Sequence, residues 1–382
     1  MQHTSKLPHV GTSIFAVMSQ LARTHKAIDL SQGFPDFDMD KSLIDLAVGA
    51  MRDGHNQYAP MPGVLELRMA ISKKYELLYN NSYHPESEIT ITAGATQAIF
   101  GVISAFIKKG DEVILFKPAY DSYEPTVELN GGIPVFVELQ GPDFKVDWNA
   151  VKAKISSRTK MIVINTPQNP IGTVFSEHDM LQLQKVTDHT DIMVLSDEVY
   201  EHIIFDDEKH QSACRFPGLK SRTFITASFG KTFHSTGWKL GYCCAPKALM
   251  EEFRKVHQFT VFCVNHPTQL AIAEYMAEPE HYLELSTFYQ RKRDFFLSLI
   301  ESSAFTFKPS KGTYFQLLDY SNITNEKDVD FATRLVKEHG LASIPISVFY
   351  NEPPPTKVLR FCFAKKESTL EQAAKILNSI SS

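Results

Sequence analysis

The chain is poor in the signatures that nucleotide-binding, secreted and membrane proteins carry. Its 382 residues include 18 glycines, yet no two stand in G-x-G spacing, so the dinucleotide fingerprint is missing. Gly230-Lys231-Thr232 ends like a phosphate loop, but the position five residues before Gly230 is Ile225 rather than the glycine that motif requires. Cysteines number five, at 214, 243, 244, 263 and 362, an odd count without C-x-x-C spacing. That argues against a disulfide framework and for free thiols in a reducing, cytoplasmic compartment. No apolar run approaches the ~20 residues of a membrane span. Met1–Lys6 lacks the charged-then-apolar order of a signal peptide. A net charge of −5 offers no basic excess for nucleic acid. His202, Asp206, Asp207 and His210 match no metal-ligand spacing, and a polar loop is the better reading. Repeats and low-complexity tracts are absent as well.

What is present reads as an ordinary globular enzyme, with 43% hydrophobic and 22% charged residues. The length suggests two to three domains. Apolar, β-branched runs at Ile89–Thr92, Glu112–Phe116, Met161–Asn165, Ile192–Ser196, Thr223–Ser228 and Lys239–Ala245 predict strands. They are nearly continuous runs, as in parallel sheets buried on both faces. Between them fall helical patterns at Gly63–Tyr79, Ala95–Lys108, Ser176–Asp188, Pro246–Gln258 and Thr268–Met276, with Gly94 and Gly110 as start and stop signals. The alternation predicts a wound α/β domain. From Glu280 onward the pattern changes. A long amphipathic helix over His281–Ser303 leads into strands at Gly312–Leu317, Leu341–Ser347 and Val358–Phe363 and helices at Val329–His339 and Thr369–Ser379. That is a smaller α+β unit. Asn351–Pro355, with its consecutive prolines, reads as a loop.

The polar residues gather where these strands end, which is where α/β proteins place chemistry. Lys231 follows Thr223–Ser228 among small and hydroxyl residues. It reads either as a solvated loop lysine or as one that bonds an aldehyde cofactor. Asp197 follows a buried strand and requires a partner, which is a Lys or Arg or else the ring nitrogen of a bound pyridine. Tyr200 reads as a core tyrosine or as a donor to a ring phenolate. Asn165-Thr166-Pro167-Gln168-Asn169-Pro170 forms a rigid turn able to aim an amide, with either X–Pro bond open to the cis form. Gly94-Ala95-Thr96 starts a helix and offers free N–H groups to an anion, with Ser228 and Lys239 as further donors. Tyr120 is placed to stack on a ring. Arg360 stands in an apolar strand and needs an acid. That acid is internal, or it is a substrate carboxylate captured by both arms of the guanidinium.

With those residues in order, the chain resembles the class I pyridoxal-phosphate-dependent aminotransferases from about Ile28 to Ala364. The motifs are Gln32-Gly33-Phe34-Pro35, Tyr58 with Gly63 and Leu67-Arg68, Gly94-Ala95-Thr96, Asn165–Gly172, Ser196–Tyr200, Ser228–Thr232 and Arg360. Within the family it is most similar to the kynurenine, glutamine and methionine aminotransferases, notably over Ser228–Gly241 and Val256–Phe262. The resemblance implies fold type I, a large domain with a mostly parallel seven-stranded sheet wrapped by helices plus a smaller α+β domain. Residues 1–27 would be an N-terminal arm, 41–280 the large cofactor-binding domain, and 28–40 with 281–382 the small one. It implies pyridoxal 5'-phosphate on Lys231, which also moves the substrate proton, with Asp197 on the ring nitrogen and Tyr200 and Asn169 on the phenolic oxygen. Tyr120 would stack on the ring, and Asn165 would belong to the same cofactor set. Gly94, Ala95, Thr96, Ser228 and Lys239 would hold the phosphate, joined by Tyr58 from the other subunit of a homodimer. Arg360, the Gly33 backbone and Asn169 would bind the substrate α-carboxylate, and Phe262 would line the side-chain pocket from the other subunit. Cys263 stands where the kynurenine enzymes carry a histidine, so side-chain preference is the role that departs. Neutral sulfur-containing, aromatic or amide donors are expected, in a ping-pong exchange with a 2-oxo acid. A carbon–sulfur β-lyase would keep every cofactor residue. A non-catalytic ligand-sensing regulator would need an added DNA-binding segment, and none is visible.

Overall fold

The computed structural model describes residues 4–352, 354 and 356–381. Met1, Gln2, His3, Pro353 and Pro355, on which parts of the N-terminal and loop readings fall, lie outside the described residues. Seven strands form the main sheet in the spatial order Ile89–Thr92, Gly241–Cys244, Thr223–Ser228, Met193–Asp197, Thr159–Asn165, Glu112–Lys117 and Ile133–Glu138. Gly241–Cys244 pairs antiparallel with both of its neighbours, and the other pairings are parallel. All six residues of Glu112–Lys117 are buried, as are those of Ile89–Thr92. This is the both-faces burial that continuous apolar runs require.

Five of the six expected strands match closely. The sixth is shorter than expected, because Lys239 and Leu240 precede the strand Gly241–Cys244. Lys239 adopts the left-handed conformation, φ 53, closing the 3₁₀ turn Thr236–Trp238. A residue there leaves the ladder and turns its ammonium toward Gly94. The seventh strand, Ile133–Glu138, was not expected from the pattern. It lies at the sheet edge, contains Pro134 and is mostly half-exposed, so it lacks the buried-strand signature.

Helix ends follow local chemistry. Ser176 and Asp179 form a reciprocal capping box at the start of Glu177–Thr187. Gly94 is the N-cap of Ala95–Phe106. That helix stops at Ile107, which is extended, so Gly110 marks the following turn rather than the helix end. The expected helix over 281–303 is two pieces, Glu280–Leu283 and Leu285–Ile300, with Leu285, Tyr289 and Phe296 on the buried face. The expected strand over 341–347 is divided between two sheets. Leu341–Ala342 pairs parallel with Ile28–Asp29. Ile344–Pro345 pairs antiparallel with Val358–Cys362, which in turn pairs with Phe315–Asp319. Residues Ser347–Phe349 then form a 3₁₀ turn. Among the described residues no helix is long and apolar enough to cross a membrane.

Candidate active site

Strand order decides which side chains meet. Asn165 and Asp197 are register partners at the ends of adjacent parallel strands. Ser228 ends the next strand and is paired with Gly241 on the antiparallel one. Lys231 follows at once, in the single helical turn Phe229–Thr232. Gly94 comes two residues after the strand Ile89–Thr92, at the same edge. The crossing at Gly241 tolerates no side chain, since a Cβ there would lie 2.5 Å from the Ala227 carbonyl oxygen and 3.0 Å from the Ala95 nitrogen.

These residues enclose a cavity of about 160 Å³. Gly94, Ala95, Thr96, Tyr120, Asn165 and Asn169 line it, together with Asp197, Tyr200, Ser228, Lys231 and Lys239. Every residue expected to bind the cofactor from this chain is therefore on its wall. Tyr58, expected from another subunit, is not. It is 80% exposed and meets Phe262 edge-on, ring centroids 5.1 Å apart. Phe262 likewise does not reach the cavity. Phe259, at 87% exposed, is a further exposed aromatic of the same helix-end segment.

The cavity has an anion end and an acid end. At the anion end the first N–H groups of a twelve-residue helix lack intrahelical acceptors, and Gly94 supplies no side-chain cap. The Lys239 ammonium lies 3.5 Å from where a Cβ on Gly94 would be. At the acid end Asp197 is 3% exposed. Tyr123 donates to its Oδ2 at 2.5 Å, and the Val199 N–H reaches Oδ1 at 3.4 Å. Among the described residues no Lys or Arg pairs with Asp197 within 4.0 Å, so the internal ion-pair reading is not realised. Burial pushes its carboxyl up to about 6, against the pull of Tyr123 and the Val199 N–H. An acid that stays ionised at neutral pH opposite an anion cup suits a ring N–H cation carrying a phosphate. Pyridoxal phosphate is such a group.

Lys231 stands between these ends. Its Nζ donates to the Gly33 carbonyl oxygen at 3.0 Å and has no carboxylate partner among the described residues. Burial lowers its pKa to about 8. The Arg360 and Lys239 charges push the same way, while Cys362 and Asp197 oppose them. A half-buried amine with a lowered pKa spends more time as the nucleophilic free base. Gly33 sits against Phe315, whose Cζ a Cβ would meet at 2.8 Å, so the chain can pass close to Lys231 only as glycine.

Arg360 is 1% exposed. It donates to Asn169 Oδ1 at 2.6 Å and to the Ser31 carbonyl at 3.0 Å, and its Nε has no acceptor. Among the described residues no carboxylate pairs with it. Burial lowers its pKa to about 10. A buried guanidinium with free N–H capacity is a built receptor for a carboxylate. Phe315 stacks on it at 3.8 Å and Phe15 stands at 5.3 Å. Both X–Pro bonds of the Asn165–Pro170 turn are cis. The turn is braced by Asn165, whose Oδ1 accepts from the Asn169 N–H at 2.8 Å and whose Nδ2 donates to the Asp197 carbonyl at 2.8 Å.

Two neighbours escaped the sequence reading. Tyr123 fell in none of the motifs or expected elements, and only the fold carries it to Asp197. Tyr314 donates to the same Gly33 carbonyl as Lys231 and meets Tyr200 edge-on at 5.2 Å. The conceivable metal loop is otherwise engaged. Asp206 is held by Arg293, and His210 bonds Glu198 at 2.8 Å.

Comparison with known proteins agrees with this geometry. The family described as aminotransferase class I and II matches residues 25–377. A methionine aminotransferase of Escherichia coli K12 is 49% identical over 377 residues, covering 98% of both chains. The human kynurenine–oxoglutarate transaminase 3 is 33% identical, covering 99% of this chain and 90% of its own. A solved Escherichia coli structure described as having a methionine aminotransferase function superposes with a TM-score of 0.96 at 48% identity, over the whole of both chains.

Proposed function

The chain belongs to the class I and II aminotransferases, pyridoxal-phosphate enzymes of fold type I, and we propose that it moves the amino group of a neutral amino acid to a 2-oxo acid. The preferred donors are methionine, phenylalanine, glutamine and kynurenine. The observation that carries this reading is the single cavity in which Lys231, Asp197 and a helix N-terminus converge, with Arg360 beside it.

The cofactor supplies the electron sink for the substrate Cα. In this reading Lys231 would hold the cofactor through its aldehyde and, as the free amine once the substrate amine has taken its place, would carry the proton from the substrate Cα to the cofactor carbon. Asp197 holds the ring N–H, and Tyr200 with Asn169 holds the phenolic oxygen. Gly94, Ala95, Thr96, Ser228 and Lys239 bind the phosphate, and Tyr120 covers the ring. Arg360 and the backbone at Gly33 fix the α-carboxylate, which aims the Cα–H bond at Lys231. The donor preference follows from charge. Arg360 is committed to one carboxylate, and the rings close to it are Phe15, Phe315 and Phe349. An aspartate side chain would bury a second carboxylate beside them without its own cation. The relatives named above are transaminases, which favours amino transfer over the β-lyase reaction.

Assembly is part of the proposal. A homodimer would cover the exposed rings of Tyr58, Phe259 and Phe262 and bring Tyr58 to a neighbour's phosphate. Residues 1–27 would form an arm, 41–280 the cofactor domain, and 28–40 with 281–382 the small domain. The pairing of Ile28–Asp29 with Leu341–Ala342 supports that division. Cytoplasmic residence fits the five free thiols. The reading is tested by offering the four donors against several 2-oxo acids. Keto-acid products support it. Release of pyruvate and ammonia from a cysteine conjugate, without amino transfer, overturns it. Light scattering under assay conditions tests the dimer, and an active monomer would remove the shared site.

A further inference from the structure

Tyr123 lies outside every role assigned above. It opens the helix Tyr123–Leu129 and is 3% exposed. Among the described residues its hydroxyl makes the shorter of two hydrogen bonds to the Asp197 carboxylate, 2.5 Å, from 74 residues away in sequence. The other donor, the Val199 N–H, is long at 3.4 Å. The same ring supports Tyr120 edge-on at 5.7 Å. One side chain therefore braces both Asp197 and Tyr120 on the cavity wall.

We propose that Tyr123 is a positioning residue that keeps Asp197 ionised and aimed at the cofactor's ring nitrogen. This rests on the site reading above. A carboxylate in an apolar wall drifts toward its neutral form, and a neutral acid does not hold a ring cation. The groups facing Asp197 do not all help. Lys231 favours its charge and Glu198 opposes it, while Tyr120 also lies within its field. Tyr123 is a dependable donor because burial, and then the charge of Asp197, hold its phenol well above the ordinary range. It stays protonated wherever the enzyme works. A hydrogen bond to the charged form lowers an acid's pKa, so removing it raises that pKa.

Tyr123→Phe keeps the ring and deletes the donor. In the full-length, cofactor-free chain, the protonated-carboxyl infrared band assigned through Asp197→Asn should titrate about one pH unit higher than in the parent. In the loaded enzyme, pyridoxal phosphate should bind about ten-fold more weakly, and kcat should fall with little change in KM. In an Asp197→Asn background the same change should cost less than about two-fold. If the Phe variant does not fold, 3-fluorotyrosine at 123, a stronger donor of similar size, should move the Asp197 midpoint down. An unmoved midpoint in whichever of these variants folds would make Tyr123 a packing residue and overturn the proposal. Failure of the parent protein to take up pyridoxal phosphate would instead overturn the site reading.

Discussion

Lys74 and Lys231 both reach into this protein, and their surroundings differ. Lys74 is 3% exposed, pairs with Glu201 at 2.5 Å and donates to the Tyr242 hydroxyl at 2.6 Å. Tyr79 completes the shell by donating to Glu201 at 3.0 Å. Although burial would raise the Glu201 pKa, Lys74 and the neighbouring histidines hold it well below its usual value. Among the described residues Lys231 bonds a carbonyl oxygen and no carboxylate. The contrast extends to the segment 197–201. Glu198 and Glu201 are saturated by Ser196, the Ala213 N–H, His210 and Lys74. Asp197 and Tyr200, between them, line the cavity. A buried charge with all its partners holds the fold. A buried charge left short of partners marks where a ligand completes the set.

The strongest way to break this contrast is Lys74→Met. It leaves Glu201 buried and uncompensated, and should destabilise the chain by about 3–5 kcal/mol, read as the shift in a denaturant melt. A loss below ~1 kcal/mol would show that the pair is not structural.

Asp197→Asn addresses the other side. The amide is nearly isosteric, so the fold should persist while turnover falls by ~10²-fold or more. Near-normal turnover would remove Asp197 from the chemistry.

Lys231→Met sharpens the difference, because it should stabilise the cofactor-free chain where Lys74→Met destabilises it. The folded chain releases the Lys231 proton at about 8, the unfolded chain near 10.5. The penalty for burying the charge is therefore full below pH 8 and gone above 10.5. Discounted for partial exposure, the gain at pH 7 should be roughly 1–3 kcal/mol, shrinking as pH rises. Melts at pH 7 and pH 10.5 check it, and a pH-independent effect would contradict it.

The smallest effect concerns Arg360, whose spare capacity serves one carboxylate. Methionine and phenylalanine should exceed aspartate in kcat/KM by at least ~10-fold, the ratio that ~1.4 kcal/mol provides. Aspartate as best donor would refute the pocket while leaving the cofactor site intact.

Much of the cavity was legible because its residues cluster at strand ends, and buried strands announce themselves as apolar runs. That signal put Asp197, Ser228 and Lys231 at the sheet's carboxyl edge but left their alternatives open, and their roles came from the whole constellation and the family resemblance. The edge strand Ile133–Glu138 was not legible, since Pro134 and half-exposed positions give it no buried-strand signature. Register was hidden too. Nothing local tells that Lys74 meets Glu201, 127 residues on, or that Tyr123 meets Asp197. Such pairings exist only once the sheet order brings the segments together. The Leu341–Ser347 run misled because one apolar stretch serves two sheets, changing partner at Ser343.

The central claim is that Lys231, on the cavity wall and without a carboxylate partner among the described residues, is the lysine that bonds the cofactor. Borohydride reduction of the pyridoxal-phosphate-loaded protein, followed by peptide mapping, tests it directly. The account predicts the label on Lys231, with Lys74 and Lys239 unmodified. A label on Lys239 or Lys74, or none at all, would contradict it.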